Sequence, residues 1–129
     1  MATVLIVEDE IGIGGLLEDV LLDEGHGVYL ASNGRQALEL VASHRPDLIL
    51  TDYMMPVMDG AAFMQALADE PSAAGIPVLV MSSMPEEIVA ERCPGYARFI
   101  RKPFNIFEVI DIIQRLTRPP GEGEAAART

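Results

Sequence analysis

Short apolar runs typical of strands alternate five times along this chain with segments whose apolar residues have helical spacing. Five short runs rich in valine, isoleucine and leucine have the character of buried strands: Thr3–Val7, Gly27–Ala31, Leu48–Asp52, Pro77–Ser82 and Tyr96–Arg101. A segment with apolar residues at helical spacing follows each run. Strands that alternate with helices of this length predict an α/β fold, in which a doubly wound parallel sheet carries helices on both faces.

Capping residues mark where several of the helices begin. Asn33, Asp59 and Asn105 each precede an amphipathic segment and carry a side chain that accepts hydrogen bonds from a helix start. The helix between Pro85 and Cys93 is predicted to be the weakest. In the first helix, Ile11–Glu24, one face holds Ile13, Leu16, Leu17, Val20 and Leu21. The later helices are expected to bury Ala37, Leu38, Val41, Phe63, Met64, Leu67, Phe107, Ile110, Ile113 and Leu116.

Charge and cysteine content exclude several classes of protein. The 129 residues suit one domain, and 20 acidic against 9 basic residues give a formal charge of −11. This charge argues against nucleic-acid and anionic-membrane partners, because both need a basic face. The single cysteine, Cys93, excludes an internal disulfide and is interpreted as a packed residue. His26 and His44 are predicted to face solvent. Without a signal-like start or a membrane-spanning run, we expect a cytoplasmic protein.

The strand ends predict where the chemistry lies, because ligands of an open parallel sheet bind at the carboxyl ends of its strands. Clustered carboxylates repel each other unless a cation lies between them. Hard oxygen ligands with open water positions suit Mg²⁺. An aspartate beside that cation and an ammonium is a nucleophile for phosphorus, and a nearby hydroxyl can donate to a phosphoryl oxygen. The residues at these ends are Glu8, Asp9, Glu10, Asp52, Ser82 and Lys102.

Each of these residues has a simpler interpretation when taken alone. The acids after the first strand could merely favour a helix dipole, Ser82 could be a turn residue, and Lys102 could be a solvated charge. Their convergence on one crevice favours a site. Lys102 is moreover the only lysine in the chain, and a compact ammonium suits an anion held in an acidic pocket.

These motifs resemble the receiver domain of two-component response regulators, including the chemotaxis regulators. The resemblance rests on Val7-Glu8-Asp9-Glu10, on the D-x-x-M-P-x-M-D-G loop at 52–60, on Ser82 and on Lys102-Pro103-Phe104. It implies a flavodoxin-like (βα)5 sandwich whose five parallel strands run in the order 2-1-3-4-5. It also implies that a histidine kinase or histidine phosphotransfer protein donates a phosphoryl group to the chain, with Mg²⁺ required.

The resemblance further implies a role for each site residue. Asp52 would be the phosphoacceptor. Asp9, Asp52 and the backbone carbonyl of Met54 would be direct Mg²⁺ ligands, and Glu8 would act through a metal-bound water. Ser82 and Lys102 would hold the phosphoryl oxygens.

A conformational switch is implied as well, formed by Ser82 and Phe99. Partners would read the resulting change on the face built from the fourth helix, fifth strand and fifth helix. Residues expected on this face are Phe99, Arg101, Phe104, Ile106 and Phe107. The alternative is that most of them belong to the core or cover the fifth strand, and for Ile106 and Phe107 the two interpretations stand equal.

Three features depart from the family pattern. Ser83 replaces a small apolar residue, and Phe99 lacks the hydroxyl of the frequent tyrosine. The segment between Ser82 and Lys102 is short and is interrupted by Pro94-Gly95. The fourth helix is therefore expected to be short or distorted.

Three other functions are alternatives to a receiver: dinucleotide binding, phosphatase activity and partner binding without phosphorylation. Gly12, Gly14 and Gly15 follow the first strand, but Leu17 stands where a dinucleotide fingerprint needs its third glycine. The glycines are instead expected to loosen the first helix. A Mg²⁺-dependent phosphatase would need a general acid where Met54 stands. A pseudo-receiver, which binds partners without phosphorylation, stays open.

The expected organisation is a receiver domain over residues 1–117, followed by a disordered tail or truncated linker over 118–129. It would act as a signalling phosphoacceptor and not as a turnover enzyme. Met54, Met81 and Met84 suggest an apolar rim that would not orient water. Hydrolysis of phosphorylated Asp52 is therefore predicted to be slow.

Overall fold

The fold is that of a computed structural model, which describes residues 2–55, 57–93 and 95–117. Its strands are β1 (Thr3–Val7), β2 (Gly27–Ala31), β3 (Leu48–Asp52), β4 (Val78–Ser82) and β5 (Arg98–Arg101). Its helices are α1 (Ile11–Asp23), α2 (Gly34–His44), α3 (Gly60–Ala68), α4 (Glu86–Arg92) and α5 (Ile106–Thr117), with a short 3-10 turn at Pro71–Ala73. The predicted tail, 118–129, lies outside the described residues.

The five strands form one parallel sheet in the order β2-β1-β3-β4-β5, as predicted. The first three strands have the predicted bounds, but β4 begins at Val78 instead of Pro77 and β5 at Arg98 instead of Tyr96. Pairing of β5 with β4 begins only at Arg98, opposite Leu79.

Two apolar layers cover the sheet, one on each face. Helices α1 and α5 bury Leu17, Leu21 and Ile113 against one face. Helices α2, α3 and α4 bury Val41, Phe63 and Val89 against the other. Burial on both faces explains why the central strands are continuous apolar runs instead of alternating ones.

The predicted caps are confirmed. The side chain of Asn33 accepts a hydrogen bond from the Gln36 N–H (2.9 Å), and that of Asp59 accepts one from the Ala62 N–H (2.8 Å). The Asn105 side chain accepts from the Phe107 N–H (2.8 Å). Helix α4 is seven residues long and has no side-chain cap at its start, so the prediction of a short fourth helix is also confirmed.

Two apolar residues expected to face inward are exposed. Leu16 is 52% exposed because it shares the outer stripe of α1 with Gly12 and Asp19. Phe107 is 79% exposed because it lies one turn before Asp111 on the outer stripe of α5. The buried stripe of α5 instead contains Val109, Ile110, Ile112 and Ile113.

The prediction that His26 faces solvent is wrong. His26 is buried, and its Nδ1 accepts a hydrogen bond from the backbone N–H of Ala2 (3.2 Å). Ala2 is itself buried, so its N–H needs an acceptor inside the protein. His44 is exposed, as predicted, and its ring centroid lies 4.5 Å from that of Tyr29.

Gly60, at the start of α3, leaves no room for a side chain. A Cβ there would lie 2.9 Å from the Tyr53 Cα, and the Gly60 N–H donates to the Tyr53 carbonyl (2.7 Å). We expect Gly60→Ala to lower the free energy of unfolding by about 1–3 kcal/mol, the usual cost of overpacking. Urea denaturation would measure the change.

Gly15→Ala is the matched control, because a Cβ at Gly15 meets nothing within 4 Å. Alanine within a helix should there raise stability by about 0.5–1 kcal/mol. Equal destabilisation by both substitutions would contradict the steric argument.

None of the helices in the described part of the chain has the length and apolar character needed to cross a membrane. The parallel register brings the carboxyl ends of β1, β3, β4 and β5 to one edge of the sheet. The polar residues that follow these strands therefore meet at that edge.

Candidate functional site

The end of β3 and the residue after β5 provide the central pair of the site. The Lys102 ammonium donates a hydrogen bond to the Asp52 carboxylate, with 2.9 Å between Nζ and Oδ2. Asp52 is buried as the last residue of β3, and Lys102 is partly exposed. The peptide bond between Lys102 and Pro103 is cis. A carboxylate is thus held at the sheet edge by a cation from a residue fifty positions later.

Glu8 provides a second, buried carboxylate beside this pair. Its Oε1 accepts a hydrogen bond from the Glu10 N–H (3.2 Å), and its Oε2 lies 3.6 Å from the Lys102 Nζ. Oε2 has no hydrogen-bond partner among the described residues. The pKa of Glu8 is raised from 4.5 to about 7, chiefly by burial and then by the negative charge of Asp52. The Glu10 hydrogen bond and the Lys102 charge offset only part of this increase.

Asp9 completes a group of three acids. One carboxylate oxygen from each of Glu8, Asp9 and Asp52 lies within 4.8 Å of the others, with Asp9 exposed and the other two buried. Close carboxylates of this kind disfavour their own ionisation unless a cation compensates. The Glu8 Oε2, which lacks a hydrogen-bond partner among the described residues, and the all-oxygen donor set fit a hard divalent cation such as Mg²⁺.

The state of Lys102 follows from the same group. Burial by itself would lower the pKa of its ammonium, but the hydrogen bond and charge of Asp52, followed by the charge of Glu8, outweigh that effect and raise it. Lys102 therefore carries its full positive charge at neutral pH. A fixed cation at this position suits an incoming anion.

Ser82 ends β4 and is fully buried. Its hydroxyl oxygen accepts a hydrogen bond from the Met84 N–H (3.0 Å). The oxygen is the acceptor in this bond, so the hydroxyl hydrogen remains a donor. The register aligns Ser82 with Arg101, the residue before Lys102, so both reach the same edge of the sheet.

The predicted apolar rim is only partly present. Met54 is 61% exposed in the loop after Asp52, and Met84 is half-buried after Ser82. Met81 does not belong to the rim, because it is fully buried in the core between the sheet and α1 and α5. Alternation along β4 explains this difference, since Met81 and Ser82 point to opposite faces of the strand.

The predicted switch aromatic, Phe99, is half-buried on β5. Its ring centroid lies 6.2 Å from that of Tyr96, whose hydroxyl donates to the Glu86 carboxylate on α4 (2.9 Å). This connection between α4 and the segment before β5 was not predicted from the sequence. The acidic start of α4 and a tyrosine ten residues later were its only signal.

The other residues expected on the partner-reading face differ in exposure. Arg101 and Phe107 are exposed, whereas Phe104 and Ile106 are half-buried and pack against the core beside α5. Cys93, predicted to be a packed residue, is buried, and its thiol donates to the Val89 carbonyl (3.2 Å). Burial raises the pKa of that thiol, so it stays protonated and unreactive at neutral pH.

This fold and this arrangement of acids, hydroxyl and lysine define a receiver domain. The family model of the response regulator receiver domain matches residues 4–114, and the chain belongs to that family. The chain is therefore a phosphoacceptor module of two-component signalling, and neither the phosphatase nor the pseudo-receiver is favoured. The dinucleotide-binding alternative is likewise not supported by the family match.

Two relatives illustrate the family. Response regulator MprA of Mycolicibacterium vanbaalenii is 35% identical over 134 aligned positions, which cover 98% of this chain and 56% of that protein. The chain thus spans about half the length of that relative. Sporulation initiation phosphotransferase F of Bacillus subtilis is 36% identical over 116 positions, which cover 87% of this chain and 90% of that one.

Solved structures agree with the fold. The receiver domain of the sensor histidine kinase PA1611 from Pseudomonas aeruginosa, with a magnesium ion coordinated in its active-site cleft, has a TM-score of 0.83 at 27% identity. That comparison covers 92% of this chain and 98% of the other. The chemotaxis response regulator CheY4 of Vibrio cholerae has a TM-score of 0.82 at 33% identity, covering 90% of this chain and 98% of that one.

Proposed function

We propose that Asp52 accepts a phosphoryl group from a phosphohistidine of a histidine kinase or a histidine phosphotransfer protein. A carboxylate oxygen of Asp52 forms a bond to phosphorus as the bond between phosphorus and the donor imidazole nitrogen breaks. The imidazole leaves with the electron pair of that bond, and Asp52 becomes an acyl phosphate. The hydrogen bond between Lys102 and Asp52 carries this proposal, because it identifies the carboxylate that faces the anion-binding charge.

The remaining site residues act on the phosphoryl oxygens and on the cation. Lys102 and the Ser82 hydroxyl hold phosphoryl oxygens. Asp9, Asp52 and the Met54 carbonyl would bind Mg²⁺ directly, with Glu8 acting through water. Bound Mg²⁺ would supply positive charge that offsets both the carboxylate repulsion and the charge of the incoming group. Support comes from the three acids within 4.8 Å of one another and from the Glu8 Oε2, which lacks a hydrogen-bond partner among the described residues.

The signal then passes to a protein partner through the face formed by α4, β5 and α5. Exposed Phe107 and Arg101 and half-buried Phe99 support this part of the proposal. The Tyr96–Glu86 hydrogen bond joins α4 to the segment before β5, so a movement of Phe99 would be felt at α4. We propose residues 1–117 as the receiver unit that does this.

The experiment that tests the proposal is phosphotransfer from a protein donor. A phosphotransfer protein labelled on its histidine is mixed with the chain, with Mg²⁺ or with a chelator, and the label is followed on both proteins. We expect transfer that needs Mg²⁺ and is lost in Asp52→Asn. Transfer that persists in Asp52→Asn, or that ignores the chelator, would contradict the proposed roles.

The exposed Met54 leads to a prediction about the lifetime of the phosphorylated state. A thioether neither orients water nor transfers a proton, so phosphorylated Asp52 should hydrolyse over minutes or longer. We expect Met54→Asn to speed hydrolysis by on the order of tenfold or more, because an amide can position the attacking water. Loss of acid-labile phosphate with time would measure both rates.

Val57→Asn is the control for this prediction. It places the same amide three residues further along the loop, where Val57 is 77% exposed. It should leave the hydrolysis rate within twofold. A wild-type half-life of seconds would sink the idea, as would equal acceleration by both variants.

A further inference from the structure

A groove lies between α1 and the junction of β2 with α2, next to the acidic site, with which it shares Glu8. Its volume is about 390 Å³. Gly15 and Glu18 line it from α1, Leu30 from β2 and Gln36 from α2, and Glu8 borders it as well. Neither the proposed phosphotransfer nor the partner-reading face uses Gly15, Glu18, Leu30 or Gln36.

The glycines of α1 keep this groove open. A Cβ at Gly14 would make ordinary contacts, 3.8 Å from Glu8 and from Leu30, and one at Gly15 would meet nothing within 4 Å. Packing within this chain therefore does not require glycine at either position. Each glycine within a helix nonetheless costs about 0.5–1 kcal/mol relative to alanine. A side chain at Gly15 would occupy the groove. Glycine at this position therefore leaves the groove free for a ligand.

The lining combines an apolar wall with negative charge. Leu30 is 40% exposed and offers an apolar surface to the groove. Glu8 and Glu18 are acidic, and none of the described residues that line the groove is basic. Glu18 takes part in none of the ion pairs found among the described residues. The complementary ligand therefore has an aliphatic stem and a cationic end.

We propose that this groove receives a lysine or arginine side chain presented by a partner protein. The aliphatic stem of that side chain lies against Leu30 and the bare backbone at Gly15, and its cation pairs with Glu18 near Gln36. Charge complementarity favours such a partner over an acidic one, since the chain carries a formal charge of −11. The glycine pattern of the first helix thereby gains a binding role that the phosphorylation chemistry does not supply.

The test uses n-butylguanidinium as a probe for an arginine side chain. The probe is titrated into the ¹⁵N-labelled full chain with saturating Mg²⁺, so that the acidic site does not compete for the cation. We expect saturable amide shifts confined to the groove residues. The neutral isostere n-butylurea should bind at least about fivefold more weakly, the effect of one exposed charge pair of about 1 kcal/mol.

Variants decide whether binding occurs in the groove. Glu18→Gln should weaken the probe about fivefold, whereas Asp19→Asn, on the exposed stripe of the same helix, should leave binding within twofold. Gly15→Leu should abolish binding while Mg²⁺-dependent phosphorylation by a small phosphodonor persists, which shows that the fold is intact. Leu30→Ala provides a second test should Gly15→Leu fail to fold, and it too should weaken binding.

Three results would overturn the proposal: shifts spread over the acidic surface, equal binding of butylurea, or equal effects of Glu18→Gln and Asp19→Asn. None of these results bears on Asp52, so failure here is distinguishable from failure of the proposed phosphotransfer.

Discussion

Replacing Lys102 with methionine is expected to slow phosphorylation by a small phosphodonor by about 100-fold or more. The Lys102 ammonium lies 2.9 Å from Asp52, and its pKa is raised, so its charge is fixed where the phosphoryl oxygens arrive. Methionine keeps an unbranched side chain, one atom shorter, and removes the charge. Loss of one preorganised donor to developing negative charge typically costs about 10²–10³ in rate. The rate of gain of one phosphoryl group, followed by intact mass, measures the effect.

Arg101→Met is the matched control for the lysine. Arg101 is the adjacent basic residue, but it is exposed on β5 and makes no ion pair among the described residues. Its replacement should leave the rate within about twofold. If the two substitutions slow phosphorylation equally, the effect is one of overall charge and the assigned role of Lys102 is wrong.

The second large effect concerns stability against pH without Mg²⁺. The folded protein holds the Glu8 proton more tightly than the unfolded chain, because the pKa of Glu8 rises from 4.5 to about 7 on folding. The free energy of unfolding should therefore fall as pH rises from about 4.5 to about 7, and the contribution should level off above that. The penalty is at most about 3 kcal/mol, from 1.36 kcal/mol per unit of pKa. Urea denaturation at each pH would measure it.

Two comparisons isolate Glu8 in this experiment. Glu8→Gln removes the titrating group and should flatten this part of the profile, whereas Glu10→Gln, at an exposed acid, should not. Saturating Mg²⁺ should raise stability most at the upper end of the range, where the carboxylates are ionised. A wild-type profile parallel to that of Glu8→Gln would contradict the raised pKa.

Much of the site could be predicted because strand ends are encoded locally. Continuous apolar runs located β1 and β3 to the residue, and Glu8 and Asp52 lie at or just after those ends. Parallel pairing then brings the ends together whatever the details of packing. The distances between the site residues could not be predicted from the sequence. The hydrogen bond between Lys102 and Asp52 depends on how far β5 and β3 are shifted relative to each other along the strand direction.

Residues whose environment depends on distant segments were harder to predict. His26 is buried because the Ala2 N–H needs an acceptor, a long-range pairing that no local pattern encodes. Phe107 is exposed because the buried face of α5 is formed by Val109, Ile110, Ile112 and Ile113, and Phe107 lies on the opposite side of the helix. The Tyr96–Glu86 hydrogen bond likewise joins α4 to the segment before β5, and the sequence pattern of either segment alone does not predict it.

The groove beside α1 was also not predicted from the sequence. Gly12, Gly14 and Gly15 were visible in the sequence and were interpreted as a source of looseness in the helix. The effect of these glycines on the helix stays a prediction, whereas the structure shows an open groove beside Gly15 of α1. The groove is formed by α1, β2 and α2 together, so the pattern of no single segment predicts it.

The most direct test of the central claim is intact mass after incubation with a small phosphodonor. Wild type, Asp52→Asn and Asp9→Asn are each measured with Mg²⁺ and with a chelator. The account predicts one added phosphoryl group on wild type with Mg²⁺, none on Asp52→Asn, and little on Asp9→Asn or in chelator. An equal gain of mass on Asp52→Asn, or no gain on a folded wild type that is also offered a protein phosphodonor, would contradict it.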